Sequence, residues 1–288
     1  MTILVTGATG NVGRHVVSTL AAAGHPVRAL TRRPDDAAAP TGVPVVAGDL
    51  MRPDSLGSAL DGVHAMFLFP IRETVVKVVD RAVTAGVRRI VVLSSGAVAA
   101  GYDTEYHYPV EQAVERSGVA WTHVRPGEFA VNTLHMWGPS IRTGRTVVDP
   151  FPDRVSAPVH ERDIADVVSA ALVEEGHAGR AYTLAGPTAV SHRERVAAIA
   201  AALGEEIRIE RVTPAEAREF YHRQGGWAAD NADFLLGFES YSGESTEPVE
   251  GDERHHDPTV PTTTVADVTG RPARDFATWA RDHADDFR

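Results

Sequence analysis

Three glycines at regular spacing, Gly7, Gly10 and Gly13, separate an apolar run, Ile3-Leu4-Val5, from an amphipathic one, Arg14-His15-Val16-Val17-Ser18-Thr19-Leu20. A strand, a tight turn and a helix in that order let the backbone approach a pyrophosphate closely, because glycine has no Cβ to hold the ligand off. The unpaired amides that begin a helix then bind the phosphates. Thr9, Asn11 and Val12 fill the turn and are read with the glycines as contacts to the dinucleotide. A phosphate loop of the Gly-Lys-Ser/Thr type is excluded, since no such triplet closes the motif. The alternative is a tight strand-to-helix turn without a ligand.

About 20 residues beyond such glycines, an NAD site places an acidic residue on the ribose 2′-hydroxyl. Arg32 and Arg33 stand there instead. Guanidinium groups suit a 2′-phosphate, which they hold by charge-assisted, bidentate hydrogen bonds, so NADP(H) is the expected cofactor. The alternative pairs both arginines with Asp35 and Asp36 at the surface.

The elements that must position these groups follow from the pattern of apolar residues. Pro26 to Thr31, Val43 to Ala47, Ala65 to Phe69, Arg89 to Leu93 and Val119 to Val124 read as strands. Pro53 to Leu60, Glu73 to Ala85 and Tyr106 to Ser117 read as helices, with Gly86 and Gly118 as stop signals. The alternation predicts a parallel sheet covered on both faces. Beyond Arg125-Pro126 the pattern loosens: a helix is expected from Glu161 to Glu174, a strand from Ala181 to Leu184, and a helix capped by Ser191 with Glu194 as its capping-box partner. A strand from Ile207 to Val212, a helix from Pro214, a long acidic loop from Glu239 to Thr264 and a closing helix from Pro272 to His283 complete the reading.

The chain has 288 residues, 43% of them hydrophobic, enough for a substantial core. Its net charge of −11 is uneven: residues 1–203 carry 19 Lys+Arg against 20 Asp+Glu, and residues 204–288 carry 9 against 19. An acidic tail region repels nucleic acid and anionic membranes, so neither is expected as a partner. With no cysteine, thiolate chemistry and disulfides are excluded, and Lys77 is the single lysine available to any mechanism. No apolar run approaches the roughly 20 residues that span a bilayer, and no leader precedes the first strand, so a cytoplasmic protein is expected. No metal is expected: His255 and His256 with Asp252 and Asp257 lack the ordered spacing of a ligand set.

Thr6-Gly7-Ala8-Thr9-Gly10-Asn11-Val12-Gly13, Gly48-Asp49-Leu50, Val92-Leu93-Ser94-Ser95 and Arg125-Pro126-Gly127 fall in the order and spacing of the atypical short-chain dehydrogenases/reductases. Together with His160-Glu161-Arg162-Asp163-Ile164-Ala165-Asp166 and Leu184-Ala185-Gly186-Pro187, they most resemble the NmrA-like and triphenylmethane-reductase-like branch. The resemblance implies an α/β fold, a doubly wound parallel Rossmann sheet with a small C-terminal substrate-binding region. Residues 1–155 would form the NAD(P)-binding domain, completed by parts of 156–190, and 191–288 would be mainly the substrate-binding region. It further implies that Asp49 and Leu50 flank the adenine. Phe69, Pro70, Ser94, Ser95 and Gly96, with Pro126 and Phe129 of the later motif, would lie beside the ribose and nicotinamide.

The superfamily's usual serine and Tyr-x-x-x-Lys pair are missing. Gly96 stands at the serine position, and the corresponding helix offers His107-Tyr108-Pro109-Val110-Glu111. His107, Tyr106 and Tyr108 are the candidate replacement proton donors, Tyr108 also a substrate contact, and Glu111, one turn beyond His107, a group able to orient it or the nicotinamide ribose. Asn132 is a candidate hydrogen-bonding group for substrate, or else a local turn cap. Met136, Trp137, Trp227 and Phe234 are candidate walls for a flat aromatic substrate, or else core of the smaller region. The expected activity is that of an oxidoreductase passing hydride from NADPH to a small hydrophobic, aromatic or quinonoid acceptor such as a ketone, quinone or imine. A non-catalytic NADP-binding sensor is the alternative, an epimerase or dehydratase the third reading, and a monomer or homodimer the expected assembly.

Overall fold

A computed structural model of the chain describes residues 1–241, 243–248 and 264–288. The first half runs β1 (Thr2–Val5), α1 (Gly13–Ala22), β2 (Val27–Thr31), β3 (Val45–Ala47), α2 (Gly57–Leu60), β4 (Val63–Leu68), α3 (Val75–Thr84), β5 (Arg89–Leu93), α4 (Gly96–Ala99), α5 (His107–Arg116) and β6 (Ala120–Pro126). There follow α6 (Asn132–Gly144), β7 (Thr146–Asp149), β8 (Val155–Ser156), α7 (Glu161–Val173), β9 (Arg180–Leu184), β10 (Val190–Ser191) and α8 (His192–Leu203). The remainder is β11 (Arg208–Arg211), α9 (Pro214–Gln224), α10 (Gly226–Asp230), α11 (Ala232–Leu236), α12 (Val265–Thr269) and α13 (Phe276–Asp282).

Two compact units divide these elements. The first comprises Met1–Pro126 and Glu161–Leu184 together with α12. Its sheet has the order β3-β2-β1-β4-β5-β6-β9, every neighbouring pair parallel. The order in which strands are added reverses between β1 and β4, which opens a crevice at the carboxyl ends of those strands, where such folds bind ligands. On one face Val78, Val79 and Ala82 of α3 and Val110 and Val114 of α5 pack with Leu4, Met66, Ile90 and Val92 of the strands. Helices α1 and α7 pack on each other, and α7 lies on β4, β5 and β6. Burial on both faces is why these strands read as continuous apolar runs. Lys77 sits on the exposed side of α3.

The second unit comprises Gly127–His160, the described part of Ala185–Pro261, and Ala273–Arg288. Gly127–His160, read from sequence mostly with the nucleotide-binding domain, packs here. Strands β7 and β11 pair in parallel, and β8 and β10 pair antiparallel. The core gathers Trp137, Ile199, Tyr221, Trp279 and Phe287. The Ser191 capping box is formed as its sequence requires: Glu194 N–H donates to Ser191 Oγ at 3.2 Å and Ser191 N–H to Glu194 Oε2 at 2.7 Å. Helix α6 was not legible, since Pro139 lies inside it and interrupts its pattern; nor was the four-residue strand β7 that follows it. The closing helix starts at Phe276, capped by Asp275, four positions later than Pro272 suggests. Most of the expected acidic loop, with Asp252, His255, His256 and Asp257, lies outside the described residues. Among the described residues no helix is long and apolar enough to cross a membrane.

Candidate functional site

The glycine turn leaves β1 and is tied to the neighbouring strand by one hydroxyl. Thr6 Oγ1 donates to Phe67 O at 2.9 Å and accepts from Phe69 N–H at 2.8 Å, so the ends of β1 and β4 are fixed to each other across the crevice. Gly7 has φ +59°, a conformation strained for other residues, and a Cβ there would crowd the Phe69 side chain at 3.3 Å. At Gly13 a Cβ would sit 2.1 Å from Gly7 O. Helix α1 therefore starts as close to the turn as backbone allows. Its N-cap is Val12, which supplies no side-chain cap, and its first turn holds no acid. Amides without a competing carboxylate at a glycine cradle fit a dinucleotide pyrophosphate.

Beside this turn lies a cavity of about 310 Å³, lined among others by Thr9, Arg14, His15, Ser18, Thr31 and Pro40, and by no Asp or Glu. Arg33 is 3.7 Å from Asp36 in an exposed pair, the surface arrangement weighed as the alternative for it. Arg32 is exposed, and neither arginine lines the cavity; Arg14 does, a guanidinium that the sequence pattern did not single out. Asp49 builds its own turn: Oδ1 accepts from Met51 N–H at 3.0 Å and Oδ2 from Arg52 Nε at 3.1 Å. Leu50 is buried, its carbonyl taken by Thr74 Oγ1 at 2.7 Å.

Around the ends of β5 and β6 the side chains are already paired. Ser94 Oγ donates to Glu111 Oε1 at 2.5 Å, and Arg125 donates from Nε to Oε1 at 2.8 Å and from NH2 to Oε2 at 2.5 Å. Glu111 is fully buried. Its role as orienter of His107 is corrected: both carboxylate oxygens are taken by Arg125 and Ser94, and Arg125 is held above the ordinary arginine value chiefly by its hydrogen bonds to Glu111. Glu111, Glu115 and His123 bring ligand-type atoms within 4.8 Å of one another, but the guanidinium on Glu111 already supplies the positive charge. Burial holds His123 below the usual histidine range despite those two carboxylates. Ser95 Oγ accepts from Ala97 N–H at 3.2 Å and caps α4, which Gly96 opens.

His107 has a different partner, Asp103, one turn before it. His107 Nδ1 lies 2.5 Å from Asp103 Oδ2, and Asp103 Oδ1 accepts from the backbone N–H of Tyr106 at 2.9 Å and of His107 at 3.0 Å. Asp103 is 5% exposed; burial raises its pKa, but the bonds from His107 and the two amides outweigh it and hold the group below the usual aspartate range. Tyr106 packs edge-on against His107 at 4.9 Å between ring centres, and its hydroxyl is 3.5 Å from Pro70 O. Burial, then the charge of Glu73, raises the Tyr106 pKa, so it stays protonated. Phe69 and Tyr108 are exposed, and Pro70 and Pro126 are buried.

In the second unit, Asn132 opens α6, its N–H donating to Phe129 O at 3.1 Å, and Phe129 bridges to Val159. Trp137 is wholly buried against His192, with ring centres 5.3 Å apart, and Met136 is 8% exposed. Trp137 thus belongs to the core and offers no surface to a substrate wall. Trp227 lies beside His135 and Phe234 edge-on to Tyr241. Sequence reasoning missed Thr6, Arg14, Asp103 and Arg125; only Asp103 had a readable signal, four residues before His107, the same spacing that drew attention to Glu111.

The family model described as NAD(P)H-binding matches residues 7–175. Among curated proteins, the chain is 41% identical, over 99% of both chains, to a (4-alkanoyl-5-oxo-2,5-dihydrofuran-3-yl)methyl phosphate reductase of Streptomyces griseus. It is 35% identical, over 99% of both, to an NAD(P)H azoreductase of Xenophilus azovorans. Among solved structures, the triphenylmethane reductase of Citrobacter sp. complexed with NADP(H) superposes with a TM-score of 0.76 at 21% identity, covering 99% of this chain and 100% of that one.

Proposed function

Because this chain belongs to the NAD(P)H-binding family, we propose that it is an NADPH-dependent reductase that delivers hydride to a small, hydrophobic, electron-poor acceptor. The observation that carries the reading is the glycine cradle, with uncapped helix amides beside a cavity lined by arginine and free of acid. Gly7, Gly10 and Gly13 with the amides of α1 would hold the pyrophosphate, and Arg14, Arg32 and Arg33 are the guanidinium groups on that side for a 2′-phosphate. Bound there, the reduced nicotinamide supplies a hydride.

The chain's own residues do the rest. The Thr6 hydroxyl holds the end of β4 against the turn, which positions Phe69. Ser94 gives its hydroxyl hydrogen to Glu111, so it has none left to polarise a carbonyl. An acceptor that is already electron-poor tolerates that loss, since positioning accounts for much of its activation. The names of the relatives support electron-poor acceptors: an azo compound, a triphenylmethane dye and a butenolide that carries a methyl phosphate and whose ring double bond is conjugated to two carbonyls. His107 is the proposed proton donor for acceptors that need one.

Oxidation of NADPH against a panel of quinones, alkanoyl butenolides, azo compounds and triarylmethane cations tests the reading. Turnover with at least one class, and tighter binding of NADPH than of NADH, is expected. Tight NADPH binding without turnover on any acceptor would replace it with the sensor reading.

A further inference from the structure

We propose that Asp103 is a positioning residue that fixes His107 as the proton donor, a dyad that does the work of the missing tyrosine and lysine; the inference rests on the reductase reading. An ionised carboxylate only accepts hydrogen bonds, so the 2.5 Å contact places a hydrogen on His107 Nδ1 and makes Nε2 the atom that exchanges a proton. The same carboxylate accepts the amides of Tyr106 and His107, which locks the imidazole to the start of α5. Charge on Asp103 stabilises the imidazolium, and its 5% exposure limits screening by water.

The other groups around the ring leave this pair dominant. Tyr106 packs on its edge, Arg72 and Glu73 act on Tyr106 with opposite signs, and Glu111, one turn on, is neutralised by Arg125. In the reaction the acceptor carbon forms a bond to the incoming hydride, its π electron pair moves to the electronegative or conjugated atom, and that atom takes the proton from Nε2. The acceptor is reduced by two electrons and the nicotinamide oxidised by two. His107 is left neutral with hydrogen on Nδ1, still bonded to Asp103, and water returns a proton to Nε2. A triarylmethane cation balances with hydride alone and needs no proton.

Asp103→Asn separates this role from helix capping, because the amide oxygen still accepts both backbone N–H groups while the charge is gone. In the full chain with NADPH, kcat for a quinone or butenolide is expected to fall about 10- to 100-fold at little change in KM, no more than the lower end of the roughly 10²- to 10⁴-fold that general acid catalysis supplies, because His107 itself remains. His107→Ala should add little to Asp103→Asn. Hydride transfer to a triarylmethane cation should be unaffected. Separately, nitrogen NMR of the His107 imidazole without cofactor should place the hydrogen on Nδ1 in the wild-type chain and show that tautomer lost in Asp103→Asn. Equal losses on both kinds of acceptor, or an unchanged tautomer, would overturn the proposal. A wild-type chain that reduces no acceptor would sink the reductase reading instead, while the tautomer would still judge the hold of Asp103 on His107.

Discussion

Two glutamates, one in each unit, are held in the same way and sit in different surroundings: Glu111 is fully buried and Glu128 partly exposed. In the nucleotide-binding unit Glu111 takes two bonds from Arg125 and one from Ser94. In the second unit Glu128 takes bonds from Arg195 at 2.6 and 2.9 Å and from Ser156 at 2.5 Å, and Arg195 also donates to Ser156. The first joins the ends of β5 and β6 to α5; the second joins the segment after β6 to β8 and α8. Arg125 retains 19% exposure at its side chain, whereas Arg195 has none and lies over the Phe276 ring. A carboxylate clamped by a guanidinium is a strut in either place. The carboxylate that differs is Asp103, whose partner is a histidine able to gain and lose a proton.

The largest separation of the two struts should come from removing their arginines. Arg125→Ala strands Glu111, whose side chain is 1% exposed, and is expected to cost about 3–5 kcal/mol in urea unfolding. Arg195→Ala leaves Glu128, 28% exposed at its side chain and so within reach of water, and should cost about half of that. Equal losses would mean that exposure of the stranded carboxylate does not distinguish them.

Acid should sharpen the contrast by a smaller amount. Despite burial, the charge and hydrogen bonds of Arg195 depress the Glu128 pKa from 4.5 to about 2. The folded value lies below the unfolded one, so its stabilisation is complete above about 4.5 and is lost as pH falls towards 2. With the side chain 28% exposed, the effect is on the order of 2 kcal/mol. A Glu128→Gln chain should lose that part of the acid slope, and an unchanged slope would assign it to other carboxylates.

The smallest difference concerns the hydroxyls. Ser156→Ala removes two contacts and Ser94→Ala one, so melting should register roughly 1–2 kcal/mol for the first and about 1 kcal/mol for the second. A reversed order would deny Ser156 its bridging place.

Much of the first unit was legible because its signals are local. Alternating apolar runs, the glycine spacing and the Ser191 capping box each depend on residues within one turn or strand, and the sheet followed from their order. The site was legible only where a local rule sufficed. Glu111 and Asp103 both stand four residues from His107, and spacing alone cannot say which turns inward to meet Arg125 and which meets the imidazole. That choice is made by β6, which brings Arg125 beside α5, and long-range pairing of this kind leaves no periodic trace. Thr6 was invisible for the same reason, since its two partners lie 61 and 63 positions away. In the second unit Pro139 masked a helix, and the aromatics that look like a substrate wall in a string of letters include Trp137, which the core takes.

Lys77, exposed on α3, has a practical consequence. It carries the one side-chain ε-amine of the chain, so amine-reactive dyes and cross-linkers have a single side-chain address, on a helix outside the proton-transfer dyad. The remaining side-chain cations are arginines or histidines, which such reagents leave alone, and the α-amine is the competing amine. With that α-amine blocked, a fluorophore on Lys77 would report tumbling or association without scattering label over the surface, and a tether through Lys77 would hold every molecule on a support in the same orientation.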